Sequence, residues 1–179
     1  MRIILMGIQG CGKSTQGNLL SAKLKLPYLS SGHILRAMSR EKTRLGRYIK
    51  ETINAGVLVP DAKMTAIMEE YLRRPEYVNG WILDGYPRTV KQARSFKQEL
   101  DHAVFIKVSD KEALWRLAYR NDVVREDETL KAIRKRIELF HKYTEPVLTY
   151  YKRKKILIEV NGEQEITAVH YDIMRHIKK

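Results

Sequence analysis

Cysteine is almost absent: Cys11 is the only thiol in 179 residues, which excludes an internal disulfide framework and any four-cysteine zinc site. Five prolines and ten glycines, with no Ser/Gly-rich tract and no internal repeat, leave nothing that reads as a linker, so one domain is expected. Long apolar runs are missing as well. Ile3 to Met6 is far too short for a signal peptide, and no stretch approaches the roughly 20 residues a membrane span needs. A soluble, cytoplasmic protein is expected. Acidic residues are the last shortage, 21 against 34 Lys plus Arg, for a net charge of +13. With 44% apolar residues and ten tyrosines the excess does not describe a disordered basic tail. A cationic globular chain can hold nucleic acid, a membrane surface or small polyphosphates, and charge alone does not choose among them.

What is present is an alternation of apolar runs and helical periodicity. Ile3 to Met6 reads as a buried strand stopped by Gly7, Gly10 and Gly12, followed by a helix from Lys13 to about Lys25. A short strand at Tyr28 to Ser30 leads to two short helices within 31–55, and Asp61 is expected to cap a helix to about Arg73. Trp81 to Leu83 is the next strand, with a helix from Thr89 to Leu100. Ala103 to Val108 is another, followed by a helix from Ser109 or Asp110 to near Tyr119. Thr129 to Tyr151 keeps helical spacing as one long helix bent at Pro146, then come a strand, Ile156 to Val160, and a closing helix, Ile166 to Ile177. The expected fold is α/β: a parallel sheet of about five strands with helices on both faces, three layers α/β/α.

Gly7-Ile8-Gln9-Gly10-Cys11-Gly12-Lys13-Ser14 fits G-x-x-x-x-G-K-[ST] in full, between a strand and a helix. Glycines let the backbone wrap a phosphate with its N–H groups inward, and the helix N-terminus adds positive potential. Lys13 supplies a mobile charge to the outer phosphates, and the Ser14 hydroxyl can ligate Mg²⁺. Cys11 fills a variable position of the loop. Arg36, one turn into a helix that starts at Ser30-Ser31, and Arg88, just after the strand that ends on Asp84-Gly85, would suit a second phosphate group.

The chain resembles the adenylate kinases of the nucleoside monophosphate kinase family, short-lid type. The motifs run in order over essentially the whole chain: Gly7 to Thr15, Tyr28 to Arg36, Ala55 to Asp61, Leu83 to Thr89 with Gln92, the pair Arg116 and Arg120, and Arg125 to Arg136. The resemblance implies the P-loop NTPase-type fold and transfer of the γ-phosphoryl of ATP to AMP, reversibly giving two ADP. It divides the chain into a core of 1–29, 60–120 and 126–179, a monophosphate-binding insertion of 30–59, and a very short lid, 121–125.

By the same resemblance, Gly10, Cys11, Gly12, Lys13, Ser14, Thr15, Arg116, Arg120 and Gln164 bind ATP. Ser31, Arg36, Ile53, Val57, Leu58, Val59, Gly85, Arg88, Gln92, Arg125 and Arg136 bind AMP. Gln92 matches the glutamine that recognises adenine, where pyrimidine-specific relatives tend to carry asparagine. Lys13, Arg88, Arg120, Arg125 and Arg136 are the catalytic cations. Asp84 and Ser14 hold Mg²⁺, partly through water, and zinc is not expected. Asp127 and Glu128 look like acceptors for arginines in lid closure. His33 departs from the pattern, standing where the family usually has an aspartate that orders Mg²⁺ waters. Small nucleotides (ATP, AMP and ADP) are the expected partners and a monomer the expected state, with no membrane and nucleic acid disfavoured. A kinase of UMP, CMP or a deoxynucleotide, or a nucleic-acid-binding P-loop ATPase, remain the alternatives. Seven cations thus face phosphate, and six of the thirteen surplus charges have no assignment, Lys152 to Lys155 being the obvious contributors.

Overall fold

The computed structural model describes residues 1–119 and 129–177. Five strands form one sheet: β1 (Arg2–Met6), β2 (Tyr28–Ser30), β3 (Trp81–Asp84), β4 (His102–Lys107) and β5 (Leu157–Asn161). Their order is β2-β3-β1-β4-β5 and each neighbouring pair is parallel, as the alternation of strands and helices requires. The chain leaves central β1 with β3 on one side and β4 on the other, the point where an open parallel sheet leaves a crevice at its carboxyl edge. The register sets Asp84 opposite both Leu5 and Ser30, so the ends of β1, β2 and β3 stand level.

Successive strand residues point to opposite faces, and β1 divides accordingly. Ile4 and Met6 pack with Leu83, Met68, Val147 and Tyr151 on one face. Ile3 and Leu5 pack with Leu20, Val104, Ile133 and Ile173 on the other. The first face is covered by α4 (Asp61–Leu72), α5 (Val90–Ser95) and α8 (Glu145–Arg153), the second by α1 (Lys13–Leu24), α7 (Leu130–Leu139) and α9 (Ile166–Ile177). Between β2 and α4 stand α2 (Ser31–Ser39) and α3 (Arg44–Asn54), the two helices expected within 31–55. No helix among the described residues is long and apolar enough to cross a membrane.

Three local features differ from the sequence expectation. Asp61 is the first residue of α4 rather than its cap; Pro60 precedes it, and the carboxylate is turned to Thr89 and Gln92. The helix after Thr89 stops at Ser95, five residues short, because Phe96 turns extended (φ −72°, ψ 109°) and drives its ring against Trp81 and Tyr86. Between α7 and α8 lies a π-helical turn, Phe140–Thr144, immediately ahead of Pro146 rather than a simple bend at it. Proline lacks an N–H and its ring crowds the carbonyl four residues back, that of Lys142; a widened turn relieves both.

His141 on this turn joins two helix starts: Nδ1 lies 2.7 Å from Glu145, the first residue of α8, and Nε2 2.9 Å from Asp110, the first of α6 (Asp110–Ala118). The hydrogen bond to Glu145 above all, with Asp110 adding to it, raises the imidazole above its ordinary 6.5. A raised folded value means the contribution is complete below 6.5 and is lost as pH rises through that value. The site is exposed, so the effect is small. His141→Gln is expected to flatten the fall in thermal midpoint above pH 6.5, measured by calorimetry across a pH series.

Candidate active site

The loop from β1 to α1 is built by backbone that only glycine tolerates. Gly7 has φ +147°, and a Cβ there would meet Cys11 Sγ at 2.5 Å and the Ile106 carbonyl at 2.7 Å. Gly12 is left-handed at the start of α1, which carries no side-chain cap and no acidic residue in its first turn. By contrast α2, α3, α5, α6 and α7 are each capped by a Ser or Thr hydroxyl. The N-terminus of α1 therefore keeps its positive potential for an anion. Lys13 folds across the loop, its ammonium donating to the Gly7 and Ile8 carbonyls at 2.9 Å and lying 3.5 Å from Cys11 Sγ. Cys11 itself is buried, and Ser14 and Thr15 are exposed at the rim.

Across the cleft, Asp84 closes β3 at 9% exposure. Its Oδ2 accepts from the Tyr28 hydroxyl at 2.9 Å, while Oδ1 is buried and accepts from no group among the described residues. Arg88 follows on the next turn, its Nε donating to the Gly85 carbonyl at 2.8 Å. Burial first, then repulsion from Arg136, pushes the Arg88 guanidinium below its ordinary value; Asp84 opposes this and Arg36 adds to it. Three arginines and one carboxylate thus act on one another, an arrangement that disfavours the free protein and suits a multiply charged anion.

Gln92 is 2% exposed, with both ends of its amide fixed. Oε1 accepts from the Arg88 N–H at 2.7 Å, and Nε2 donates to Asp61 Oδ1 at 2.9 Å. Because Asp61 only accepts and a backbone N–H only donates, the amide has one orientation, with one N–H and one lone pair still to offer. Arg136, from α7, reaches Gln9 of the loop at 3.1 Å and the Ile53 carbonyl of α3 at 2.8 Å. It links the loop, α3 and α7.

On the opposite flank Arg116 pairs with Glu112 at 2.7 Å, one helical turn away. Gln164 is exposed and donates to the Asn161 carbonyl and to Asp172. Residues 9–15 of the loop, Tyr28, Ile53, Asp84, Arg88, Gln92, Glu112, Arg116, Arg136 and Gln164 line one cleft of about 820 Å³, as do Ser31, His33, Arg36, Val57, Leu58, Val59 and Gly85. Arg120, Arg125, Asp127, Glu128 and the segment 121–125 lie outside the described residues. Among those described, no three His, Cys, Asp or Glu residues form a metal-binding group. The donor set at the loop is one carboxylate and one hydroxyl. That suits Mg²⁺, which keeps several waters and takes one or two carboxylates beside phosphate oxygens.

Several contacts at the cleft were not apparent from the sequence. Tyr28 on Asp84, Asp61 on Gln92, Gln9 on Arg136, and the Thr144 hydroxyl on the Arg88 carbonyl (3.0 Å) join residues 31 to 127 positions apart. Glu112 with Arg116, at i and i+4, left a local signal.

A five-stranded parallel sheet whose central strand runs into a glycine loop ending in Lys-Ser defines a P-loop nucleotide-binding fold. Residues 5–156 match the family model described as adenylate kinase. An adenylate kinase of Clostridium botulinum (strain Langeland) is 36% identical, covering 97% of this chain and 96% of the relative. One of Caldicellulosiruptor bescii is 32% identical over 98% of each, and one of Encephalitozoon cuniculi 36% identical over 99% and 98%. The chain belongs to the adenylate kinase family. The alignment to the Clostridium protein runs over 208 positions, more than the 179 residues here, so that relative carries residues this chain lacks. The Encephalitozoon alignment runs over 177.

Proposed function

We propose that the cleft transfers the γ-phosphoryl of ATP to AMP, reversibly giving two ADP, with Mg²⁺ accompanying ATP. The observation that carries this is the juxtaposition, in one cleft, of the phosphate loop with a second anion site made by Arg88, Arg136 and Arg36, next to the oriented amide of Gln92. The free N–H and lone pair of that amide match the donor and acceptor edge of adenine, and the preference for AMP over pyrimidine acceptors rests on a glutamine standing at this position. Ser31, Ile53 and Val57 to Val59 complete the acceptor pocket, and Arg116 and Gln164 the ATP side.

The acceptor phosphate has a second pKa of about 6 and is ionised at neutral pH, so its oxygen attacks without a general base. Catalysis is then positioning and charge neutralisation around a loose, in-line transition state. Lys13 holds the outer phosphates of ATP. Arg88 and Arg136 hold the acceptor and the transferring group, with Arg120 and Arg125 assigned to the same task from the sequence. Residues 30–59 serve as the acceptor-binding insertion and 121–125 as a short lid that keeps water from the γ-phosphate. Asp84 Oδ1, buried and without a donor among the described residues, and the Ser14 hydroxyl would hold the metal, which when bound neutralises charge on the phosphate oxygens. The reading needs only residues of one chain, consistent with a monomer in the cytoplasmic nucleotide pool.

A coupled assay of ATP with AMP, UMP, CMP, GMP and dAMP tests the assignment. AMP is expected to give the highest kcat/KM, by at least about 100-fold over either pyrimidine. A pyrimidine as best acceptor would overturn it.

A further inference from the structure

We infer that Tyr28 is a positioning residue for the metal, acting through Asp84; the inference rests on the metal assignment made above. Asp84 is the carboxylate assigned to the metal, and its two oxygens differ in surroundings. Oδ2 receives the Tyr28 hydroxyl at 2.9 Å, whereas Oδ1 is buried with no donor among the described residues. A carboxylate can rotate about its terminal bond, and one that must face a hydrated cation with a single oxygen loses free energy for each alternative orientation it samples. A hydrogen bond to the other oxygen removes that freedom and leaves Oδ1 as the outward acceptor. The phenol is neutral, so it fixes the carboxylate without cancelling its charge.

The seat of the tyrosine is itself built for this. Tyr28 opens β2, which pairs in parallel with β3 and brings Ser30 level with Asp84. The ring reaches Asp84 by lying across α1 at Gly17, where a Cβ would stand 2.7 Å from ring Cδ2 and closer still to Cε2. Gly17 is one turn beyond Ser14 on the same helix. The three groups assigned to the metal or its support, Ser14, Asp84 and Tyr28, therefore sit on α1, β3 and β2 and are locked to one another by ring packing and one hydrogen bond. The geometry also makes β2, which leads directly into α2 and the acceptor side, the support of the donor's metal.

Tyr28→Phe keeps the ring on Gly17 and removes only the hydroxyl. Binding of Mn²⁺ to the enzyme's complex with a nonhydrolysable ATP analogue, followed by the EPR signal of free Mn²⁺, is expected to weaken about 10-fold, the lower end of the range for groups that orient a metal's ligands. Affinity for the analogue in EDTA and the thermal midpoint are expected to stay as in the wild type. In an Asp84→Asn background, Tyr28→Phe is expected to add nothing, since it acts through that carboxylate. Wild-type Mn²⁺ affinity in Tyr28→Phe alongside weakened binding in Asp84→Asn overturns the inference and leaves the metal assignment standing. Wild-type affinity in both variants overturns the metal assignment itself. A loss of equal size in the Asp84→Asn background overturns the positioning route through Asp84.

Discussion

Arg88→Met is expected to lower kcat for ATP plus AMP about 1,000-fold and to raise KM for AMP, with KM for ATP near its wild-type value, in a coupled assay of ADP formation. The guanidinium stands where Asp84, Arg36 and Arg136 all act on it, and its Nε is already tied to the Gly85 carbonyl at 2.8 Å. The remaining donors are held at one place and angle before any ligand arrives. Such preorganised charge costs no rearrangement during the reaction, which makes its loss expensive. Arg88→Lys should recover little, because one ammonium cannot reproduce a planar fork. The same surroundings predict the opposite effect on stability. Burial and two like charges depress Arg88, so its charged form disfavours folding at neutral pH, and that penalty would lift only as pH rose through the lowered folded value. Arg88→Met is accordingly expected to melt no lower than the wild type in calorimetry at pH 7. A marked drop in its midpoint would show that the arginine is chiefly structural.

Lys13→Met should abolish turnover to a similar degree, about three orders of magnitude in kcat, while leaving KM for AMP unchanged. Its ammonium lies over the loop on the Gly7 and Ile8 carbonyls, at the N-terminus of a helix that offers no competing acidic residue. Methionine retains the length of the chain and loses only the charge and its donors. The two variants are separable: Arg88→Met changes the acceptor parameters and Lys13→Met does not. Their combination should fall well short of the product of the single losses if both act on one transition state.

The residues to which the sequence led directly are those whose motifs are local. The phosphate loop is a contiguous motif, and Arg88 with Gln92 falls within nine residues of the end of β3. The parallel sheet and its layers followed from alternation, since parallel neighbours demand crossovers and the buried runs were apolar throughout; the strand order did not. What stayed hidden depends on register and on partners far along the chain. Asp61 looked like a cap because aspartate is a favoured cap residue ahead of a helical run, yet its partner is Gln92, 31 positions on. Tyr28 and Asp84 meet only because β2 and β3 pair with Ser30 opposite Asp84. The π-helical turn leaves no mark in apolar spacing, since one widened turn shifts the helical face without breaking its rhythm. The early end of α5 was set by the rings of Trp81 and Tyr86, which Phe96 finds only in the folded core.

The level ends of β1, β2 and β3 have a bearing on the protein's lifetime in a cell. Leu5, Ser30 and Asp84 come from distant parts of the chain and meet only when all three strands are aligned. An unfolded or half-assembled chain holds no version of the site, so nucleotide binds the finished sheet alone. Free energy of binding is then added to that of folding, about 2.7 kcal/mol where ligand stands at 100 times its Kd. The resistance of this chain to proteolysis and aggregation should therefore rise with the total concentration of the nucleotides that this cleft holds, whichever of them predominates.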